Sequence, residues 1–137
     1  MKIINNISYK LSKESLSRCK DLDSDEQIAL INQSIFEDSK INHIKRLQYQ
    51  YELLKVSEIN KSKFNSAYIL NLIAQTNTQM GDLSVALDNL MNADKKWREL
   101  LILKGSDLRF PLTLNGFILC LSDIGNIYMK MGLFDQA

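Results

Sequence analysis

"LNLIAQTNTQMGDLSVALDNLMNA" (70–93) decides how the rest of the chain is read. Leu70, Ile73, Ala74 and the far-end Met80 keep helical spacing, and Gly81 then stops the pattern, as a residue tolerant of positive φ does. Asp82 caps a second helix, in which Leu83, Leu87, Leu90 and Ala93 resume the helical period. The stretch reads as two helices joined by a tight turn. Ala74 on one helix, with Ala86 and Ala93 on the other, allows a close approach.

A second stretch, "LSDIGNIYMKMGLFDQA" (121–137), repeats the first half of that unit. Leu70 aligns with Leu121, Ile73 with Ile124 and Ala74 with Gly125. Met80-Gly81 aligns with Met131-Gly132, and Ala86 with Ala137. The offset is 51 residues throughout. Similarity at one fixed offset is the signature of stacked repeats. In the second copy Gly125 takes the close-approach position and Gly132 the turn.

The flanking sequence reads as helical too. Residues 8–20 form a weak helix with Leu11, Leu16 and Cys19 as its apolar points. Ser24-x-x-Gln27 reads as a capping box, with Asp25 and Glu26 at the positive end of a helix reaching about Phe36. A helix from Ile41 to Ile59 carries Ile44, Leu47, Tyr51 and Leu54 at steps of three and four, which predicts one buried stripe. "NKSKFN" (60–65) breaks the pattern, and Asn65 or Ser66 caps the next helix. The helix opened by Asp82 runs from Leu83 to Lys104, through Trp97, and stops at Gly105. Pro111 suits a first helical turn, and the helix it opens is predicted to bury Leu114, Phe117, Ile118, Leu121, Ile124, Tyr128 and Met131. Phe134–Ala137 reads as the start of a further helix. No segment alternates with period two for long enough to make a strand. The fold class is all-α.

These residues resemble the tetratricopeptide repeat, a helix–turn–helix unit with a 34-residue period. Leu121-x2-Ile124-Gly125-x2-Tyr128 follows the first half of the family pattern, with Leu for Trp. Ala86-x3-Leu90 followed by Ala93 follows the second half, with Leu for Phe. In the upstream copy Ala74 replaces the packing Gly, and Asn77 stands where Tyr would be. The longer offset fits an extended second helix and the "GSDLRF" connection, and no Pro follows Ala93. The resemblance implies an α-α superhelix of antiparallel helix pairs. Residues 1–65 are then degenerate repeats or an N-terminal cap, 66–108 a repeat with a long second helix, and 109–137 a repeat cut at the start of its second helix. That ending leads us to expect an N-terminal fragment of a longer protein.

The resemblance also implies a concave face lined by the first helix of each repeat. Its outward positions would be Tyr68, Asn71, Gln75 and Thr78, then Ser122, Asn126, Met129 and Lys130. Amides and hydroxyls at one-turn spacing either bind a peptide or partner helix or form a plain solvated face. The Lys and Asn clamp that some members use for a peptide carboxylate is not supported, because Asn71 and Ser122 stand where Lys would help. Trp97 reads as core, with Lys95, Lys96 and Arg98 as its solvated flank.

Composition narrows the function classes. Among 137 residues the net charge is +1, with no field to favour nucleic acid or an anionic membrane. Cys19 and Cys120 lie far apart with no metal spacing and read as separate thiols in a reducing compartment. His43 is the single histidine, with no Ser, Cys or carboxylate tied to it. Runs such as "FILCL" (117–121) and "LLIL" (100–103) are too short to span a bilayer, and no signal peptide opens the chain. No phosphate loop, zinc spacing or nucleophile elbow is present. We expect a cytoplasmic protein- or peptide-binding scaffold without cofactor, metal or catalysis of its own. The alternative is the sensory region of a larger regulator, its histidine-kinase or DNA-binding module missing from this chain. Self-association is expected through the Leu121–Ile124–Tyr128 stripe, which has no partner helix.

Overall fold

The computed structural model describes residues 3–102 and 110–132. The expected stop at Lys104–Gly105, the connection before Phe110 and the expected helix start at Phe134–Ala137 lie outside those residues. A short 3-10 turn, Ile3–Asn6, precedes six α-helices: α1 (Lys13–Cys19), α2 (Ser24–Glu37), α3 (His43–Ile59), α4 (Lys63–Gln79), α5 (Leu83–Ile102) and α6 (Phe110–Lys130). Among the described residues there is no strand.

Local chemistry sets the helix ends. Ser12 Oγ accepts the Ser15 amide at the start of α1, and Asn42 Oδ1 accepts the Lys45 amide at the start of α3. The capping box of α2 sits one residue earlier than the sequence suggests. Asp23 accepts the Glu26 amide at 2.8 Å while Glu26 accepts the Asp23 amide at 3.1 Å. Gln27 is thereby released to the interior. It accepts the Ile3 amide and donates to the Cys19 and Leu22 carbonyls, tying the N-terminal turn and the end of α1 to α2. The start of α4 also moves, because Ser62 is its N-cap residue. Asn65 instead donates to Ser62 Oγ and to the Asp25 carbonyl on α2. Gly81 and Gly132 hold φ of +80° and +72°, the left-handed turn expected of both.

Helix α4 is the centre of the molecule, lying against α2, α3, α5 and α6. One apolar cluster joins its Ile69 and Ile73 to Ile28, Ile31, Ile35, Leu53 and Val56. The other joins its Ala67, Leu70 and Ala74 to Ala86, Leu90, Ala93, Trp97, Cys120 and Ile127. The helices therefore form two triads that share a member: α2, α3 and α4, then α4, α5 and α6. The second helix of each triad follows one rule. Arg46, Gln50, Leu53 and Ser57 are buried on α3, and the residues 40 positions on, Ala86, Leu90, Ala93 and Trp97, are buried on α5.

That burial corrects the stripe expected on α3. Ile44 and Tyr51 are 61% and 43% exposed, while Leu47 and Leu54 are half-buried. The covered line is rotated by about one residue and carries polar groups inward, some of them with partners. Arg46 donates to the Ile35 and Asp38 carbonyls at the end of α2, where a cation also suits the helix dipole. Tyr51 spends its hydroxyl at the surface, accepting from Asn89 of α5 at 3.2 Å.

Helix α6 needs a similar correction. Its covered line is Thr113, Gly116, Cys120 and Ile127, with Phe117 and Ile124 half-buried. Leu114, Ile118, Leu121 and Met131 are exposed, against expectation for burial. The 51-residue offset explains the pattern. Ser62, Asn65, Ile69 and Thr76 form the line of α4 and its cap that turns toward the first cluster, and their counterparts Thr113, Gly116, Cys120 and Ile127 are likewise buried. Ala67, Leu70, Ala74 and Asn77 form the line that carries α5, and all are buried. Their counterparts are Ile118 and Leu121, 54% and 42% exposed, then exposed Gly125 and half-buried Tyr128. Among the described residues nothing plays the part of α5 for α6.

By length and composition, the segment Pro111–Lys130 is also apolar enough to cross a membrane, a property shared with core helices of soluble proteins. Scanning for uninterrupted apolar runs passes over it, because Thr113, Asn115, Ser122, Asp123 and Asn126 break the runs.

Candidate functional site

The close approach that organises the second triad falls at Gly116; the partner expected for Gly125, Ala137, lies outside the described residues. Trp97 is fully buried, and a Cβ at residue 116 would stand 2.4 Å from its ring. A Cβ at Gly125 would meet nothing within 4 Å. Phe64 meets the Trp97 ring edge-on, with centroids 5.4 Å apart. Trp97 Nε1 donates to Asn71 Oδ1 at 3.2 Å, and Asn71 Nδ2 donates to the Gly116 carbonyl at 3.1 Å. One amide thus joins α4, α5 and α6. Cys120 adds a thiol bond to the Leu90 carbonyl at 3.3 Å, and burial pushes its pKa up to about 12. Cys19 and Cys120 are both buried, and neither forms a disulfide.

This knot holds α4 and α6 at a fixed separation and leaves a groove of about 200 Å³ between them. Its floor is Ala74, Leu90 and Ile127, and its polar walls are Gln75, Thr78 and Gln79 on α4 with Asp123, Asn126 and Lys130 on α6. The Thr78 hydroxyl donates to the Ala74 carbonyl at 2.8 Å, so its oxygen faces the groove as an acceptor only. The Gln75 side chain hydrogen-bonds Asp123. The other carboxylate oxygen, Oδ2, is shielded from water and has no hydrogen-bond partner. Burial, the largest influence, raises the Asp123 pKa, against the Gln75 hydrogen bond and the charge of Lys130.

Of the eight positions expected on a concave face, the structure brings four together: Gln75, Thr78, Asn126 and Lys130. Asn71 is not among them. It is buried and fully engaged by Trp97 and Gly116, because α6 packs over it. Tyr68 lines a different, smaller cup, of about 100 Å³, with Phe64, Trp97, Leu112, Asn115, Gly116 and Leu119. Ser122 and Met129 are exposed on α6 and do not line the groove. Asp123 and Gln79 join the groove from outside the expected set. A signal for Asp123 exists in the sequence. It and Lys130 are the only charges in α6, and with Asn126 they keep steps of three and four.

His43 is exposed, and its Nδ1 lies 3.2 Å from an Arg46 nitrogen. The described residues contain no group of three or more His, Cys, Asp or Glu placed to hold a metal ion. No protein-family model, no curated protein and no solved structure matches this chain.

Proposed function

We propose that this chain is a helical-repeat scaffold of tetratricopeptide type that binds a protein or peptide ligand and carries no chemistry of its own. The observation that carries the reading is the polar groove between α4 and α6, which the proposed repeat would make the first helices of successive pairs. Amides offer a donor and an acceptor each, which suits the repeating N–H and C=O of an extended chain. The recurrence of buried positions at 40 residues, and of faces at 51, supports a repeat architecture in which such grooves are built.

The test is site-specific photo-crosslinking in the native source. A crosslinker replaces Asn126 in the groove, with exposed Lys55 on α3 as control. The expected result is a partner enriched at position 126 over 55, whose purified binding segment loses at least fivefold affinity when Gln75 and Asn126 are both changed to Ala. Equal capture at both positions, or affinity unmoved by the double change, overturns the reading.

Self-association through the Leu121–Ile124–Tyr128 stripe belongs to the same proposal; Ile124 and Tyr128 are half-buried, and exposed Leu114 and Ile118 extend the apolar surface beside Leu121. Sedimentation velocity should show a concentration-dependent dimer that Leu121→Glu abolishes. A monomer at all concentrations removes that part.

A further inference from the structure

The groove has a polarity that its amides alone do not explain. Asp123 and Lys130 lie seven residues apart on α6, so their Cα atoms are separated by about 10 Å along the helix axis. Neither makes an ion pair within 4 Å among the described residues. Asp123 keeps one oxygen without a donor in a position shielded from water, where an unmade bond to a carboxylate is costly. Lys130 is exposed at the other end of the same wall. Between them Asn126 and Gln79 offer amides, and Ala74, Leu90 and Ile127 offer an apolar strip for aliphatic stems.

We infer that the α4–α6 groove recognises an extended peptide carrying a basic side chain for Asp123 and an acidic side chain for Lys130, two or four residues apart. The inference rests on the peptide-binding reading above and names the ligand class. An extended chain advances about 3.3 Å per residue, and even spacings keep both side chains on one face. Separations of two and four residues, about 7 and 13 Å, bracket the rise of about 10 Å between the two residues along α6. The basic group pairs with the Asp123 carboxylate where it lines the groove, and its stem covers Ile127. The acidic group meets Lys130 nearer to solvent, where an ion pair contributes less.

Fluorescence polarisation against labelled, end-blocked nine-residue peptides tests this. The set holds one Lys and one Glu at each even spacing, then Lys alone, Glu alone, two Lys, two Glu, and Gln at both positions. The dipolar peptide should bind at least tenfold tighter than the Gln peptide. Asp123→Asn should erase the advantage conferred by Lys and leave that conferred by Glu. Lys130→Gln should do the reverse, with a smaller loss. Because burial disfavours the Asp123 charge, Asp123→Asn should melt at or above the wild-type temperature, which separates lost binding from lost fold. Equal binding of dipolar and Gln peptides overturns the inference and leaves the scaffold reading standing. So does a set in which no peptide binds while crosslinking at position 126 succeeds. If crosslinking fails as well, both fall.

Discussion

Helices α3 and α5 bury the same four positions of a shared ladder with different chemistry. In α5 the ladder is Ala86, Leu90, Ala93 and Trp97; in α3 it is Arg46, Gln50, Leu53 and Ser57. The apolar ladder closes on a cluster in which Trp97 occupies the space left by Gly116, and its one indole donor is satisfied by Asn71. The polar ladder is held by bonds instead. Arg46 binds two carbonyls at the end of α2, and Ser57 hydrogen-bonds Ser66 of α4. Gln50 is fully buried with neither amide atom partnered, as is Asn32 of α2. Spacing sets which positions face inward, and composition sets how firmly the inside is held.

Trp97→Ala should have the largest effect, about 3–5 kcal/mol of lost stability in a denaturant titration, from a large cavity in the apolar half. It also strands the Asn71 carbonyl, so Trp97→Phe, which fills most of the volume, should still cost about 1–3 kcal/mol. A small effect from both would mean that the apolar ladder is not what locks the second triad.

The two α6 glycines should respond with opposite signs. Gly116→Ala forces a methyl into the Trp97 ring and should destabilise by about 1–3 kcal/mol. Gly125→Ala meets nothing within 4 Å and should stabilise by about 0.5–1 kcal/mol through helix propensity. Thermal melts of the two variants test whether Gly116 carries the close approach to Trp97.

In the polar half, Gln50→Leu removes two unpartnered buried atoms at similar volume and should stabilise by about 1 kcal/mol. Destabilisation would show that a water or another group satisfies the amide.

The last effect, a pH-dependent one, concerns the N-terminal segment over α2 and α3. Tyr9 packs edge-on against Tyr49 and donates to Asp38 at 2.9 Å. Burial, then the Asp38 bond, raises the Tyr9 pKa from 10.0 to about 12. The folded state therefore holds the phenolic proton longer than the unfolded chain. Its contribution is complete below pH 10 and is lost as pH rises toward about 12. Asp38 runs the other way. The Lys40 amide bond, first, and the Tyr9 bond lower its pKa, so its contribution is present above pH 3.8 and lost as pH falls below it. Urea midpoints should fall between pH 10 and 12 in the wild type and stay level in Tyr9→Phe by comparison.

Much of this architecture is legible in the residues. Helical spacing, Gly81 and Gly132, and the buried Ala74, Ala86 and Ala93 mark helices and turns through local preferences. The candidate site is half legible. Repeat register leads to Gln75, Thr78, Asn126 and Lys130. It misplaces Asn71, because a polar residue on a first helix reads as outward, and nothing local reveals that α6 covers it. It passes over Asp123, because the neighbouring Ser122 and Asn126 hold the aligned positions.

Sequence alone determined an all-α chain, its left-handed turn glycines and an internal offset of 51 residues, since these depend on backbone preference and local period. Only the tertiary structure decided which faces are covered. Helix α6 is apolar around much of its circumference, so periodicity marks several faces as fit for burial, and only packing selects one. The close approach at Gly116 depends on Trp97, 19 positions away, and the place of Asn71 on a carbonyl 45 positions away. Contacts between residues so far apart in the chain are set by how helices meet, which no local pattern encodes.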